Sequence, residues 1–269
     1  MYIIIFLVLL VFFYLLSIKP NKKRNVDVFL NHLYSHRGVH DNMDRNPENS
    51  LLSFRMAVDK EYGIELDVQV TKDNIPVVFH DRTLSRVCYL KNCVNDFILQ
   101  ELKNLRLFKT EESIPTLKEV LDVVDGKVPL IVEIKNESTD ISELKYIAEV
   151  LDNYKGIYSI ESFNPLVLMW YKKNRPHVIR GQLSSCFKKK DHSFARRARD
   201  FLLENLMTNF LAKPDFIAFN YKHKDMFSYK LCKRLYDPLT VAYTIKSQRQ
   251  LDLNKNDFHL FIFDSFIPK

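Results

Sequence analysis

Four short segments carry most of the reactive side chains: His36-Arg37-Gly38, Glu65-Leu66-Asp67, His80-Asp81 and Glu133-Ile134-Lys135. Glu65 and Asp67 stand two apart, so on a strand both face one side. Glu133 lies inside the apolar run Leu130-Ile131-Val132-Glu133-Ile134. A carboxylate there is costly to bury without compensation. On this reading Lys135 serves only one of the three carboxylates. A hard divalent cation would answer all three, and oxygen-only ligation suits Mg2+ or Ca2+. Taken singly, each carboxylate has an alternative as part of a structural ion-pair network. Beside such a metal, His36 and His80 supply what phosphodiester cleavage needs, a base for the nucleophile and an acid for the leaving oxygen. Arg37 is a natural bidentate ligand for a phosphate that gathers charge. His32, His40, His177, His192, His223 and His259 have no comparable setting and read as ordinary surface or core residues.

These side chains need a frame that brings them to one rim. Strands are predicted at 33–35, 64–70, 130–135, 157–160, 178–183, 216–219, 239–244 and 260–263. Between them run helical patterns at 50–60, 116–124, 142–153, 165–174, 194–211, 226–236 and 247–253. Near-continuous apolar runs such as Val128-Pro129-Leu130-Ile131-Val132 suit strands buried on both faces. Eight strands alternating with helices predict an α/β fold, a (β/α)8 TIM barrel, whose reactive groups gather at the carboxyl ends of the strands. The run 76–80 follows strand 64–70 after five residues. A parallel crossover needs a dozen or more, so Lys72-Asp73-Asn74 is predicted as a hairpin turn that returns His80 towards Glu65 and Asp67. Gly63, Gly126 and Gly156 each fall between a helical pattern and a strand, as left-handed helix caps do. The chain ends soon after the last strand, so the helix ring is incomplete there or is closed by the segment before the first strand.

Residues 1–18 hold no charged side chain, and Lys19, Lys22, Lys23 and Arg24 follow at once. As a helix the segment would span about 27 Å, enough for a single-pass transmembrane anchor. It has neither a basic start nor a small-residue cleavage site, as a secretory signal would. The expected organisation is an anchor at 1–18, a basic juxtamembrane segment at 19–30 and a barrel at 31–269. The positive-inside rule puts that barrel in the cytoplasm. The net charge of +7 favours anionic partners. No basic motif with interleaved aromatics stands out, so nucleic acid is a poor account of that charge. Lys188-Lys189-Lys190 with Arg196, Arg197 and Arg199 reads as a solvated face, with an anionic membrane leaflet as the alternative. The four cysteines show no pairing pattern and read as reduced thiols.

The ordered set of motifs is specific. His36-Arg37-Gly38 is followed by Pro47-Glu48-Asn49-Ser50, Gly63-Ile64-Glu65-Leu66-Asp67-Val68, Thr71-Lys72-Asp73 and Pro76-Val77-Val78-Phe79-His80-Asp81. Leu84-Ser85-Arg86, Ile114-Pro115-Thr116-Leu117, Glu133-Ile134-Lys135 and Ser162-Phe163 complete it, and the match thins beyond, down to Thr244 and Asp264-Ser265. In these residues the chain resembles the glycerophosphodiester phosphodiesterase family. The resemblance implies a TIM barrel that hydrolyses glycerophosphodiesters to glycerol 3-phosphate and an alcohol. It implies Glu65, Asp67 and Glu133 as metal ligands, His36 and His80 as the acid–base pair, and Arg37 and Lys135 on the phosphate. Glu48 and Asn49, together with Asp81, Phe163 and Tyr243, would shape the site. Two departures stand out. The stretch between His80 and Pro115 has no room for a large subdomain, and Tyr243 stands where the family often has tryptophan. The expected substrate is a glycerophosphodiester, or a lysophospholipid lying in the same membrane plane as an anchored site. A catalytically inactive membrane-tethered scaffold, and a lipid phosphodiester lyase releasing a cyclic phosphate, are the competing readings. Oligomeric state is not legible.

Overall fold

The computed structural model describes residues 1–21, 26–42, 46–187 and 194–269. Eight parallel strands close into a barrel in the order β1 (Tyr34–His36), β2 (Gly63–Val70), β4 (Leu130–Ile134), β5 (Tyr158–Ser162), β6 (Ile179–Ser184), β7 (Phe216–Asn220), β8 (Leu239–Ile245) and β9 (Leu260–Phe263), with β9 back on β1. The remaining strand, β3 (Pro76–Val78), runs antiparallel to the far end of β2, pairing Val68 with Val78. The hairpin expected from the short 71–75 connection is therefore present, and it carries the chain back to the rim at His80.

The helices follow from capped amphipathic stretches. In α3 (Leu51–Asp59) the Ser50 hydroxyl accepts from Ser53 N–H, and Phe54 and Ala57 are buried against the sheet. In α6 (Leu117–Val124) Thr116 and Glu119 form a reciprocal capping box, and Leu117, Val120, Leu121 and Val124 make the buried stripe. Such a cap contributes about 1 kcal/mol. Helices α7 (Leu144–Asp152), α8 (Pro165–Asn174), α11 (Phe227–Tyr236) and α12 (Gln248–Asn254) complete the outer layer, α8 and α12 capped by the side chains of Asn164 and Ser247. The single helix expected over 194–211 is two, α9 (Phe194–Glu204) and α10 (Asn209–Ala212). Leu206, with φ 57°, breaks the run between them. Of the three glycines expected as left-handed caps, only Gly126 has a positive φ. Gly63 instead opens β2, where a Cβ would collide with the Tyr34 ring.

Segment 81–115 is too short for a subdomain with its own sheet. It folds over β3 as α4 (Ser85–Cys88) and α5 (Leu99–Lys103) with tight turns. Its own apolar cluster includes Leu84, Val87, Val94, Leu102, Leu107 and Ile114. Inside the barrel, Tyr34, Ile131, Leu183, Phe216, Val241 and Ile262 pack together with Phe29 from α2 (Asp27–Leu30). Segment 26–30 thus reaches the barrel interior rather than running free.

The expectation of a spanning anchor is corrected. Helix α1 is Tyr2–Ser17, 16 residues. At 1.5 Å per residue that is about 24 Å, short of a hydrocarbon core of about 30 Å. No helix among the described residues is long and apolar enough to cross a membrane. The end of the segment belongs to the barrel. Ile18 leaves the helix and is fully buried with Leu206, Ile217, Phe219 and Cys232. Its carbonyl accepts from Asn209 Nδ2 at 3.0 Å, and the Leu15 carbonyl accepts from Tyr236 Oη at 2.7 Å. The transmembrane helix, the single-pass attachment and the cytoplasmic orientation argued from it therefore fall together. Of the basic residues, Lys22, Lys23, Arg24 and Lys188-Lys189-Lys190 lie outside the described residues, whereas Arg196, Arg197 and Arg199 lie on the exposed side of α9.

Candidate active site

Register builds the site. His36 pairs with Glu65 across β1 and β2, Asp67 with Glu133 across β2 and β4, and Glu133 with Glu161 across β4 and β5. Paired residues on parallel strands point to the same side, so these groups form a row inside the barrel near its carboxyl end. Glu65, Asp67 and Glu133 are buried, and one oxygen of each lies within 4.8 Å of the others.

The triad is not electrically satisfied by the chain. Lys135 Nζ lies 2.9 Å from Asp67 Oδ1 and 2.7 Å from Glu133 Oε1, so it answers two carboxylates where one was expected. Arg37 Nε stands 3.2 Å from Asp67 Oδ2, which also accepts from Asn49 Nδ2 at 2.9 Å. Burial would raise Asp67, but Lys135, Arg37 and the two histidines outweigh it and hold its carboxyl well below the usual range. Glu65 has less help, chiefly the charge of Arg37. Its Oε2 has no hydrogen-bond partner among the described residues. Burial, then Asp67, Glu133 and Glu161, push it well above the usual range. Burial likewise raises Glu133. A hard divalent ion fits this donor set: oxygen ligands only, one of them orphaned, and mutual repulsion that a cation would relieve.

The loop after β1 has an unusual backbone. Arg37 and Gly38 both have positive φ, at 60° and 82°, and Arg37 N–H donates to the Glu65 carbonyl. A side chain at Gly38 would strike Ser53 on α3. Glycine therefore allows the turn that presents His36 and Arg37 together. Arg37 Nη1 donates to Glu48 Oε1 at 2.7 Å. Arg86, from the segment over β3, donates to both Glu48 oxygens at 2.6 and 2.9 Å and to Asp81 Oδ2 at 2.7 Å. His80 Nδ1 lies 2.6 Å from Asp81 Oδ1. His36 Nε2 is 3.9 Å from Glu65 Oε2 and its Nδ1 is 3.4 Å from Asp264 Oδ2. Burial pulls His36 down to about 4 despite Asp264, and burial also lowers the more open His80. On the far rim Phe163 meets Phe187 and Tyr243 edge-on, with ring centroids 5.9 and 6.4 Å apart.

Glu48 sets an acid limit on stability. Burial would raise its carboxyl, but hydrogen bonds and charge from Arg86 and Arg37 hold it at about 2. A depressed folded pKa stabilises above the unfolded value near 4.5 and loses that contribution as pH falls towards 2. The full contribution is at most about 3 kcal/mol, reduced by solvent around half-exposed Arg86. Glu48→Gln is expected to flatten the fall in urea midpoint between pH 5 and 3. An unchanged slope would assign that fall to other carboxyls.

All the expected site residues lie at this end of the barrel. Four more were given no site role, although Arg86 and Asp264 fell within the family motifs and His40 was read as an ordinary residue. Asp264, just after β9, stands 3.4 Å from His40 Nε2 and 3.4 Å from Lys246 Nζ besides His36. His40 is half-buried beside Asp264. Arg86 arrives from the segment over β3, within the motif Leu84-Ser85-Arg86. Glu161 had the same signal as Glu133, a carboxylate in the apolar run Tyr158-Ser159-Ile160-Glu161, but the predicted strand stopped at 160.

A TIM barrel with buried carboxylates, two histidines and basic side chains at the carboxyl ends of its strands is the architecture of a barrel enzyme. Residues 36–217 match the model of the glycerophosphoryl diester phosphodiesterase family, and the chain belongs to that family. A glycerophosphodiester phosphodiesterase of Caldanaerobacter subterraneus is 37% identical over 165 residues, covering 56% of this chain and 66% of that protein. One of Bacillus altitudinis is 32% identical over 159 residues, covering 54% of this chain and 63% of that protein. The matched stretches thus span just under two thirds of these relatives. Among solved structures, a phosphodiesterase of Oleispira antarctica in complex with the product sn-glycerol-3-phosphate is 26% identical, with a TM-score of 0.69 over 88% of this chain and 93% of that one.

Proposed function

We propose that this protein hydrolyses glycerophosphodiesters to glycerol 3-phosphate and an alcohol, with a divalent cation, Mg2+ or Ca2+, held by Glu65, Asp67 and Glu133. The observation that carries the reading is the convergence of three buried carboxylates with Glu65 Oε2 unanswered, in a chain of this family. When bound, the cation supplies Lewis-acid stabilisation of the phosphoryl oxygens. Arg37 and Lys135, held on the same carboxylates, orient the phosphate. His36, neutral at pH 7 because burial holds it near 4, takes the proton from the nucleophile. His80 gives a proton to the leaving oxygen, with Asp81 on its Nδ1 orienting the ring. Glu48 and Asn49 fix Arg37 and Asp67 in place. Phe163 and Tyr243 form the wall that the alcohol portion meets.

Product sn-glycerol-3-phosphate in the Oleispira antarctica relative supports this choice of product. The inactive-scaffold reading requires a missing ligand or histidine, and Glu65, Asp67, Glu133, His36 and His80 are all present. A lysophospholipid substrate loses the support a spanning helix would have lent it. The test is release of glycerol 3-phosphate from glycerophosphocholine and glycerophosphoethanolamine, and of lysophosphatidic acid from lysophosphatidylcholine, with Mg2+, Ca2+ or EDTA. Turnover abolished by EDTA and restored by one ion is expected. Turnover indifferent to chelator would sink the carboxylate reading. A cyclic phosphate accumulating in 31P spectra would favour the lyase.

A further inference from the structure

We propose that Glu161 is a fourth acidic group of the cation site and strengthens divalent-cation binding from the β5 side; this rests on the cation site proposed above. Glu161 is 1% exposed and sits inside the barrel, in register with Glu133 on the neighbouring strand. Its Oε2 has no hydrogen-bond partner among the described residues. The donors around it are committed elsewhere. Lys135 is held between Asp67 and Glu133. The Tyr243 hydroxyl donates to the Ser184 carbonyl. Across β6, Gly181 pairs with Glu161 and offers no side chain; a Cβ there would collide with the Phe216 ring.

Glu65, Asp67, Glu133 and Glu161 act on one another across the barrel interior. Lys135 is shared between Asp67 and Glu133, and Arg37 between Asp67 and Glu48, so neither cation is left for Glu161. An unpartnered carboxyl in an apolar strand is costly to bury. A barrel that only needed volume at this position would be served by an apolar side chain. Glu161 bears on metal affinity whether it meets the ion or a water on it, as outer groups of metal sites do.

The experiment is isothermal titration calorimetry of the chelator-stripped full chain with CaCl2 and with MgCl2. Wild type, Glu65→Gln and Glu161→Gln are compared, with circular dichroism as the fold control. Glutamine keeps the shape of the side chain and removes the charge. Glu161→Gln is expected to weaken Kd for the bound ion by about tenfold or more, and Glu65→Gln to weaken it further. Should Glu161→Gln fail to fold, Glu161→Met provides the same measurement with similar volume. Wild-type affinity in the folded Glu161 variant, with binding lost in Glu65→Gln, would overturn this role alone and leave Glu161 as a neutral filler of the barrel. No binding to wild type, or equal binding to Glu65→Gln, would overturn the cation site and this inference with it.

Discussion

Glu65→Gln is expected to lower kcat/KM for a glycerophosphodiester by about 10³-fold or more. The same variant should melt higher than wild type in EDTA. Both outcomes come from one feature. Glu65 is buried with Oε2 unpartnered, and burial, Asp67, Glu133 and Glu161 all disfavour its charged form. Without a cation, that group destabilises the fold, so an uncharged amide of the same shape relieves it. With a cation, the same carboxylate holds the ion on which turnover depends. Relief of 1 kcal/mol corresponds to a rise of about 2–4 °C in a domain of this size. The pair of measurements is kcat/KM with saturating ion and a thermal melt in EDTA. A variant that lost activity and also melted lower in EDTA would mean that Glu65 is a structural group, and its loss of activity a folding defect.

The second large effect concerns the histidines. His36→Ala and His80→Ala are each expected to lower kcat by about 10²–10⁴-fold with KM changed only a few-fold. The double variant should be little worse than the weaker single one, because a base and an acid that act in one step fail together. The two can be told apart by the leaving group. A p-nitrophenyl phosphodiester releases an oxygen that needs no proton, so it should recover most of its rate in the variant lacking the acid. The proposed assignment gives that part to His80, the more open ring, braced by Asp81 and through it by Arg86. Recovery in His36→Ala instead would exchange the two roles. No loss in either variant would remove the acid–base pair.

The anchor expectation failed for a reason that composition could not reveal. An apolar stretch ending in Ser17-Ile18 looks the same whether its last residues meet lipid or a protein groove. Here Ile18 is drawn under Asn209 and Cys232 on the outside of β7 and β8, and the helix that remains is 16 residues long. Asn209 is 191 positions away from its partner. A pairing of that span has no period or spacing by which it could be read along the chain.

Sequence alone determined what depends on local period and connection length. Runs of apolar residues define the eight barrel strands, the two-residue spacing of Glu65 and Asp67 puts both inside, and five intervening residues force β3 to return antiparallel. Those same rules placed His36, His80 and Glu133 at one rim. Tertiary structure decided everything that requires barrel closure. Only closure sets β9 beside β1 and so brings Asp264 to His36. Only the fold of 81–115 carries Arg86 onto Glu48. Lys135 answers two carboxylates because β2 and β4 share a register, not because of its own neighbours. Glu161 becomes part of the row only once β5 is aligned on β4. The physical reason is the same throughout. A strand's pattern states which side chains face inward, but which charges are left unpaired depends on neighbours that are distant in sequence and meet only when the barrel closes.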